Sequence, residues 1–270
     1  MTRLTDDFAK RRAEGGKAVV FYVVAGDPDL DKTPAIVEAL DRAGASVIEL
    51  GIPFSDPLAD GPTIQAASQR ALTGGVTVVK TLECVRQIRQ RSQIPIVLMT
   101  YLNPALQYGL ERFANDAVAA GVDGCIQTDL TPEEGEAWIA AARKAGLDTV
   151  FLLAPTSTEE RINKVAALST GFIYCVSRTG VTGTQTNVPE ELAGLVSRIR
   201  QASDTPICVG FGVSKPEHVH TICAVADGVV IGSALVDVIA KAGDGADLIE
   251  QVEAFARPLV EAARASGGSS

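Results

Sequence analysis

Glu49 interrupts the apolar run Ser46–Leu50, and the segment that follows, Ile52–Pro62, carries two more carboxylates, Asp56 and Asp60. An unpartnered carboxylate buried in such a run costs several kcal/mol or titrates at a raised pH. Two readings are open: a Glu ion-paired to a neighbouring strand, or a general acid–base group aimed at a site. The second is favoured, because the segment beside Glu49 is long and stiffened by Pro53, Pro57 and Pro62. Two carboxylates in different surroundings can divide the acid and base roles between them.

Two short glycine segments suit an anion. Gly210-Phe211-Gly212-Val213-Ser214 and Ile231-Gly232-Ser233 each follow an apolar run and precede a helix-like stretch. Glycine lets backbone N–H groups approach closely, and a helix N-terminus favours negative charge. Either segment alone is weak, since glycine also simply makes turns. A third stretch, Ser177–Thr184, reads as a plain flexible loop or as a lid that closes over the site and adds Gly183 to the phosphate cradle.

Other chemistries find little footing. His218 and His220 stand two apart on a helix and point to different sides, so no metal site is expected there. No lysine ends an apolar run, which argues against a Schiff base, and no GxGxxG follows the first run. Proton transfer or carbon–carbon chemistry without a cofactor is what is left.

These residues need elements to position them. Eight apolar runs predict parallel strands: Ala18–Val24, Ser46–Leu50, Pro95–Thr100, Val122–Gln127, Thr149–Leu153, Phe172–Ser177, Pro206–Gly210 and Asp227–Ile231. Helical spacing predicts Pro34–Ala43, Val76–Arg91, Ala105–Ala120, Pro132–Ala145, Glu159–Leu168, Pro189–Ala202 and Leu248–Ala265. Capping boxes are expected at Thr131/Glu134, Ser157/Glu160 and Ser214/Glu217, and glycine ends at Gly44, Gly121 and Gly146. Eight alternations over roughly 230 residues predict a closed (β/α)8 TIM barrel with an extra N-terminal helix, Thr5–Glu14, over its floor. One domain, 1–265, is expected, with a disordered tail, 266–270. In this fold the functional groups lie at the C-terminal ends of the strands, and the loops after strands seven and eight commonly hold phosphate. Glu49, Asp60 and both glycine segments fall at that end.

The whole composition agrees with such a domain. The 270 residues are 46% hydrophobic and 21% charged, with aromatics at 5%, so the core must be aliphatic. A net charge of −9 disfavours nucleic acid or an anionic membrane as partner. No apolar stretch is long enough to span a membrane, and Met1–Arg12 lacks a signal-like apolar region. Five cysteines without a CxxC spacing read as buried reduced thiols, which implies a cytoplasmic protein.

The segment Ile48–Gln65 closely resembles the signature of the tryptophan synthase α subunit family. Ala25-Gly26-Asp27-Pro28, Met99–Pro104, Ser177–Gly183, Gly210-Phe211-Gly212 and Gly232-Ser233 resemble that family too, in the right order, over about Phe8 to Lys241. The resemblance implies retro-aldol cleavage of indole-3-glycerol phosphate to indole and glyceraldehyde 3-phosphate. Glu49 would then move the protons and Asp60 steady the charge on the ring nitrogen, with Thr182 holding Asp60. Gly183, Gly212, Gly232 and Ser233 would hold the phosphate, with Phe211 shaping the pocket. Phe21, Met99 and Tyr101 would wall the indole, or else serve ordinary barrel packing. The resemblance also implies a β subunit partner in an α2β2 heterotetramer, carrying pyridoxal phosphate, with no cofactor in this chain. Another enzyme on the same barrel, a non-catalytic subunit and a stand-alone lyase are the competing readings.

Overall fold

The computed structural model describes residues 2–176, 190–210 and 212–267. Eight strands close into a barrel in sequence order, all neighbours parallel: β1 Ala18–Val24, β2 Val47–Gly51, β3 Ile96–Thr100, β4 Gly124–Gln127, β5 Asp148–Leu153, β6 Ile173–Val176, β7 Ile207–Gly210 and β8 Gly228–Ile231. Closure is the β1–β8 pairing, with Phe21 opposite Ile231. A TIM barrel is therefore the fold, as expected. Ser177 and Pro189, placed in a strand and a helix by the sequence, lie outside the described residues.

The helices are α1 Arg3–Ala13, α2 Thr33–Ala43, α3 Pro62–Thr73, α4 Val78–Arg89, α5 Leu102–Tyr108, α6 Leu110–Ala120, α7 Glu136–Ala145, α8 Glu159–Leu168, α9 Glu190–Ala202, α10 Pro216–Cys223, α11 Ser233–Ala242 and α12 Leu248–Gly267. Helix α1 starts at Thr2, whose hydroxyl accepts from the Thr5 N–H, and drives Leu4 and Phe8 into the barrel floor. There Phe8 meets Phe172 at 5.9 Å between ring centroids.

Alternation along the strands sorts the core into two layers. Val19, Phe21 and Val23, or Ile48 and Leu50, face outward to the helices. Ala18, Val20, Val47, Val97, Ile126, Val150, Phe172, Cys208 and Val230 fill the barrel itself. This parity decides which side chains reach the mouth.

Three expectations about the helices need correction. The single helix over Ala105–Ala120 is two, divided at Gly109, whose φ of +93° no continuing helix adopts. The capping boxes do not form as placed. Thr131 meets Glu134 at 3.3 Å, but within a turn, and α7 begins only at Glu136. At α8 it is Thr158 that caps, accepting from the Arg161 N–H, while Ser157 accepts from the Ala154 N–H. Lys215 precedes α10 without a side-chain cap. The glycine ends do form: Gly44, Gly121 and Gly146 are left-handed with φ of 94°, 100° and 78°. The last helix runs through Ser266 and Gly267, two residues beyond the Ala265 expected from sequence.

Candidate active site

Glu49 shares the parity of Val47, so its side chain points inside the barrel near the C-terminal ends of the strands. It is 1% exposed, and its Oε2 has no hydrogen-bond partner among the described residues. The ion-paired reading of this residue is thereby set aside. Burial pushes its pKa up to about 8, and the nearby Asp60 adds to the rise. Glu49 is thus a neutral carboxylic acid at pH 7.

Asp60 stands at the end of the loop, just before α3. Its backbone N–H donates to the Pro57 carbonyl at 3.0 Å, and its own carbonyl accepts from Gln65 Nε2 at 2.8 Å. Partial burial lifts its pKa to about 6, with the Tyr101 hydroxyl pulling the other way. At neutral pH it is mostly ionised, so the two carboxyl groups sit in opposite protonation states. Tyr101 also accepts from the Ala59 N–H at 2.9 Å and lays its ring 5.3 Å from that of Phe54. This pins the acidic loop to the end of β3.

Three further aromatic or thioether groups belong to the mouth. Met99 shares the parity of Val97 and is half-buried there. Tyr22 lies opposite Glu49 in the β1–β2 pairing, and Tyr174 comes from β6. Burial raises both phenol pKa values well above the ordinary range. The carboxylates add to this, Asp60 ahead of Glu49 at Tyr22 and Glu49 foremost at Tyr174. Glycine makes room for each ring: a Cβ at Gly51 would lie 2.4 Å from the Tyr22 hydroxyl, and one at Gly210 would lie 2.7 Å from that of Tyr174. Sequence reasoning missed both tyrosines. Strand parity held the signal, since Tyr22 has the parity opposite to Phe21. Phe21 itself is not at the mouth; it is fully buried in the layer between strands and helices.

The segments expected to hold phosphate follow β7 and β8. Gly232 precedes α11, a Cβ there would meet the Tyr22 Cβ at 3.7 Å, and Ser233 opens the helix with an exposed side chain. The β7–β8 pairing sets Gly210 beside Val230, so the loops bearing Gly212 and Gly232 emerge side by side. Gly212 has φ +66°, is exposed, and has nothing within 4 Å of where a Cβ would be. Thr182, Gly183 and Phe211 lie outside the described residues. Among the described residues no cluster of His, Cys, Asp and Glu could hold a metal, and no helix is long and apolar enough to cross a membrane. All five cysteines are buried.

A closed parallel barrel whose C-terminal mouth gathers a neutral acid, an ionised acid and the glycine-bearing loops after β7 and β8 has the form of a (β/α)8 barrel enzyme suited to acid–base work. The family model for the tryptophan synthase alpha chain matches residues 8–264. The alpha chain of Solibacter usitatus is 52% identical over 96% of this chain and 97% of its own length. That of Geotalea uraniireducens is 49% identical over 99% and 100%. The solved tryptophan synthase subunit alpha of Legionella pneumophila superposes with a TM-score of 0.90 at 37% identity, covering 97% of this chain and 98% of its own. The chain belongs to the tryptophan synthase alpha chain family.

Proposed function

We propose that this chain is the lyase of that family, cleaving indole-3-glycerol phosphate to indole and glyceraldehyde 3-phosphate. The observation that carries the reading is Glu49 buried at the barrel mouth with Oε2 lacking a partner among the described residues, so that burial raises its pKa to about 8 while that of the less buried Asp60 is raised only to about 6. The bond to be broken leaves from indole C3, a poor leaving group until protonated. Glu49, neutral and buried, gives its proton to C3, and positive charge appears on the ring nitrogen. The Asp60 carboxylate accepts the ring N–H and stabilises that charge. The carboxylate left on Glu49 then takes the proton of the neighbouring carbinol hydroxyl. As that O–H bond breaks, the carbonyl forms, the C–C bonding pair returns to the ring, and indole is released. Glu49 ends as it began, so this chain needs no cofactor for the cycle.

The glycines of the seventh and eighth loops, with Ser233, hold the phosphate, and Gly183 and Phe211 complete that pocket in the same reading. Met99 and Tyr101 flank the ring, Tyr22 takes the place first given to Phe21, and Thr182 supports Asp60. A β subunit with its own pyridoxal phosphate receives the indole in an α2β2 assembly in the cytoplasm. The test is to incubate the purified chain with indole-3-glycerol phosphate, with and without a β subunit of the family, and measure indole and triose phosphate in equal amounts. Indole under neither condition would overturn the reading.

A further inference from the structure

Asp27 lies in the loop between β1 and α2, is 2% exposed, and gives both carboxylate oxygens to one guanidinium. Arg70 of α3 donates from Nε to Oδ1 at 2.7 Å and from Nη2 to Oδ2 at 2.9 Å. The proposed chemistry uses neither residue. A two-pronged pair fixes orientation as well as distance, and stripping one partner leaves a buried charge stranded.

What the pair fixes is α3, and α3 touches both halves of the site. At its start, Gln65 holds the carbonyl of Asp60. Along its inner face, Ala67 and Ala71 pack against Tyr22 and Val24 of β1 and Val236 of α11, the helix that begins at Ser233. The fully buried apolar face of α3 is two alanines, with Ile64 only partly buried against the same cluster, so packing alone holds this helix weakly. Asp27 is itself anchored. Gly26, at φ +90°, brings the loop so close to the α3–α4 connection that a Cβ would lie 2.4 Å from Val76 Cγ2. Its N–H donates to Thr33 Oγ1 at 3.0 Å.

We infer that Asp27 and Arg70 are positioning residues: their buried pair locks α3 onto the end of β1 and thereby sets where Asp60 stands relative to Glu49 and the anion end. The inference rests on the function proposed above. The test compares Arg70→Met, Arg70→Lys and Asp27→Asn with the unaltered full chain, well below each variant's Tm. Misplacing a catalytic group by an ångström costs about a hundredfold in rate, so Arg70→Met should lose kcat on that order. KM, and the affinity for a non-cleavable phosphorylated indole analogue, should stay within about threefold, since binding depends chiefly on the ring and phosphate contacts. Arg70→Lys, which keeps the charge but not the fork, should recover part of the loss. Amide hydrogen exchange in Arg70→Met should quicken over residues 62–73 and not in α7 or α8. Unchanged kcat and exchange, or a loss that follows only the unfolded fraction, would overturn the inference. If the unaltered chain releases no indole, it is the functional reading that fails, and the exchange over α3 still decides whether the pair positions the helix.

Discussion

In the proposed function Glu49 is the decisive residue, because it is buried where an ion is unwelcome. Its acid form persists to about pH 8, while Asp60 ionises near 6. The kcat profile for indole release should therefore be a bell with limbs near those two values: Asp60 loses its charge on the acid side, and Glu49 loses its proton on the alkaline side. A profile flat from pH 5 to 9 would contradict the assignment. The same burial has a stability sign. A carboxyl whose folded pKa is raised costs nothing while protonated in both states. The cost appears as pH rises through the unfolded value and is complete only above the folded one. Glu49→Gln should accordingly stabilise the fold by up to roughly 3 kcal/mol at pH 7 and by almost nothing near pH 4, measured by urea unfolding at both. The odd residue in an apolar run was legible in the sequence for this reason: a charge in a strand stands out against its neighbours. Tyr22 did not stand out, because an aromatic in a strand is ordinary, and only its parity with Glu49 gives it a role.

At the scale of elements, the strands were readable because a parallel strand covered on both faces is an unbroken apolar run, and the bounds of β1 coincide with those read from sequence. Helix α3 was not read. Its buried face is only Ala67, Ser68 and Ala71, too small a stripe to stand out from the loop before it. Capping boxes misled because a Ser or Thr three residues before a Glu also occurs in turns, as at Thr131. The seventh and eighth loops are the elements assigned to the phosphate. Gly212→Asp puts a charge and a strained left-handed backbone there. It should raise KM at least about tenfold with a smaller change in kcat, since a phosphate contact kept throughout the reaction is uniform binding. Steady-state kinetics decide this, and an unaltered KM would remove that loop from the site.

For the whole molecule, the barrel's two ends divide the labour. The floor is closed by α1 through Leu4 and Phe8 and serves stability, while the mouth gathers Glu49, Asp60, Tyr22, Tyr101 and Tyr174 from four different strands and the loops after them. Leu58, 93% exposed in the acidic loop, leaves an apolar side chain bare beside Asp60. A β subunit of the family, added to this chain, should raise the rate of indole release, and sedimentation of the mixture should show the assembly. At the heart of the proposed function a single buried carboxylic acid moves the protons. That role is tested most directly by single-turnover cleavage of indole-3-glycerol phosphate with Glu49→Gln against the unaltered chain, at substrate concentrations where calorimetry shows both to be saturated. The account predicts bound substrate and indole formation slowed by about a thousandfold or more, the scale of general acid–base catalysis. Indole formed by Glu49→Gln at near the unaltered rate would contradict it.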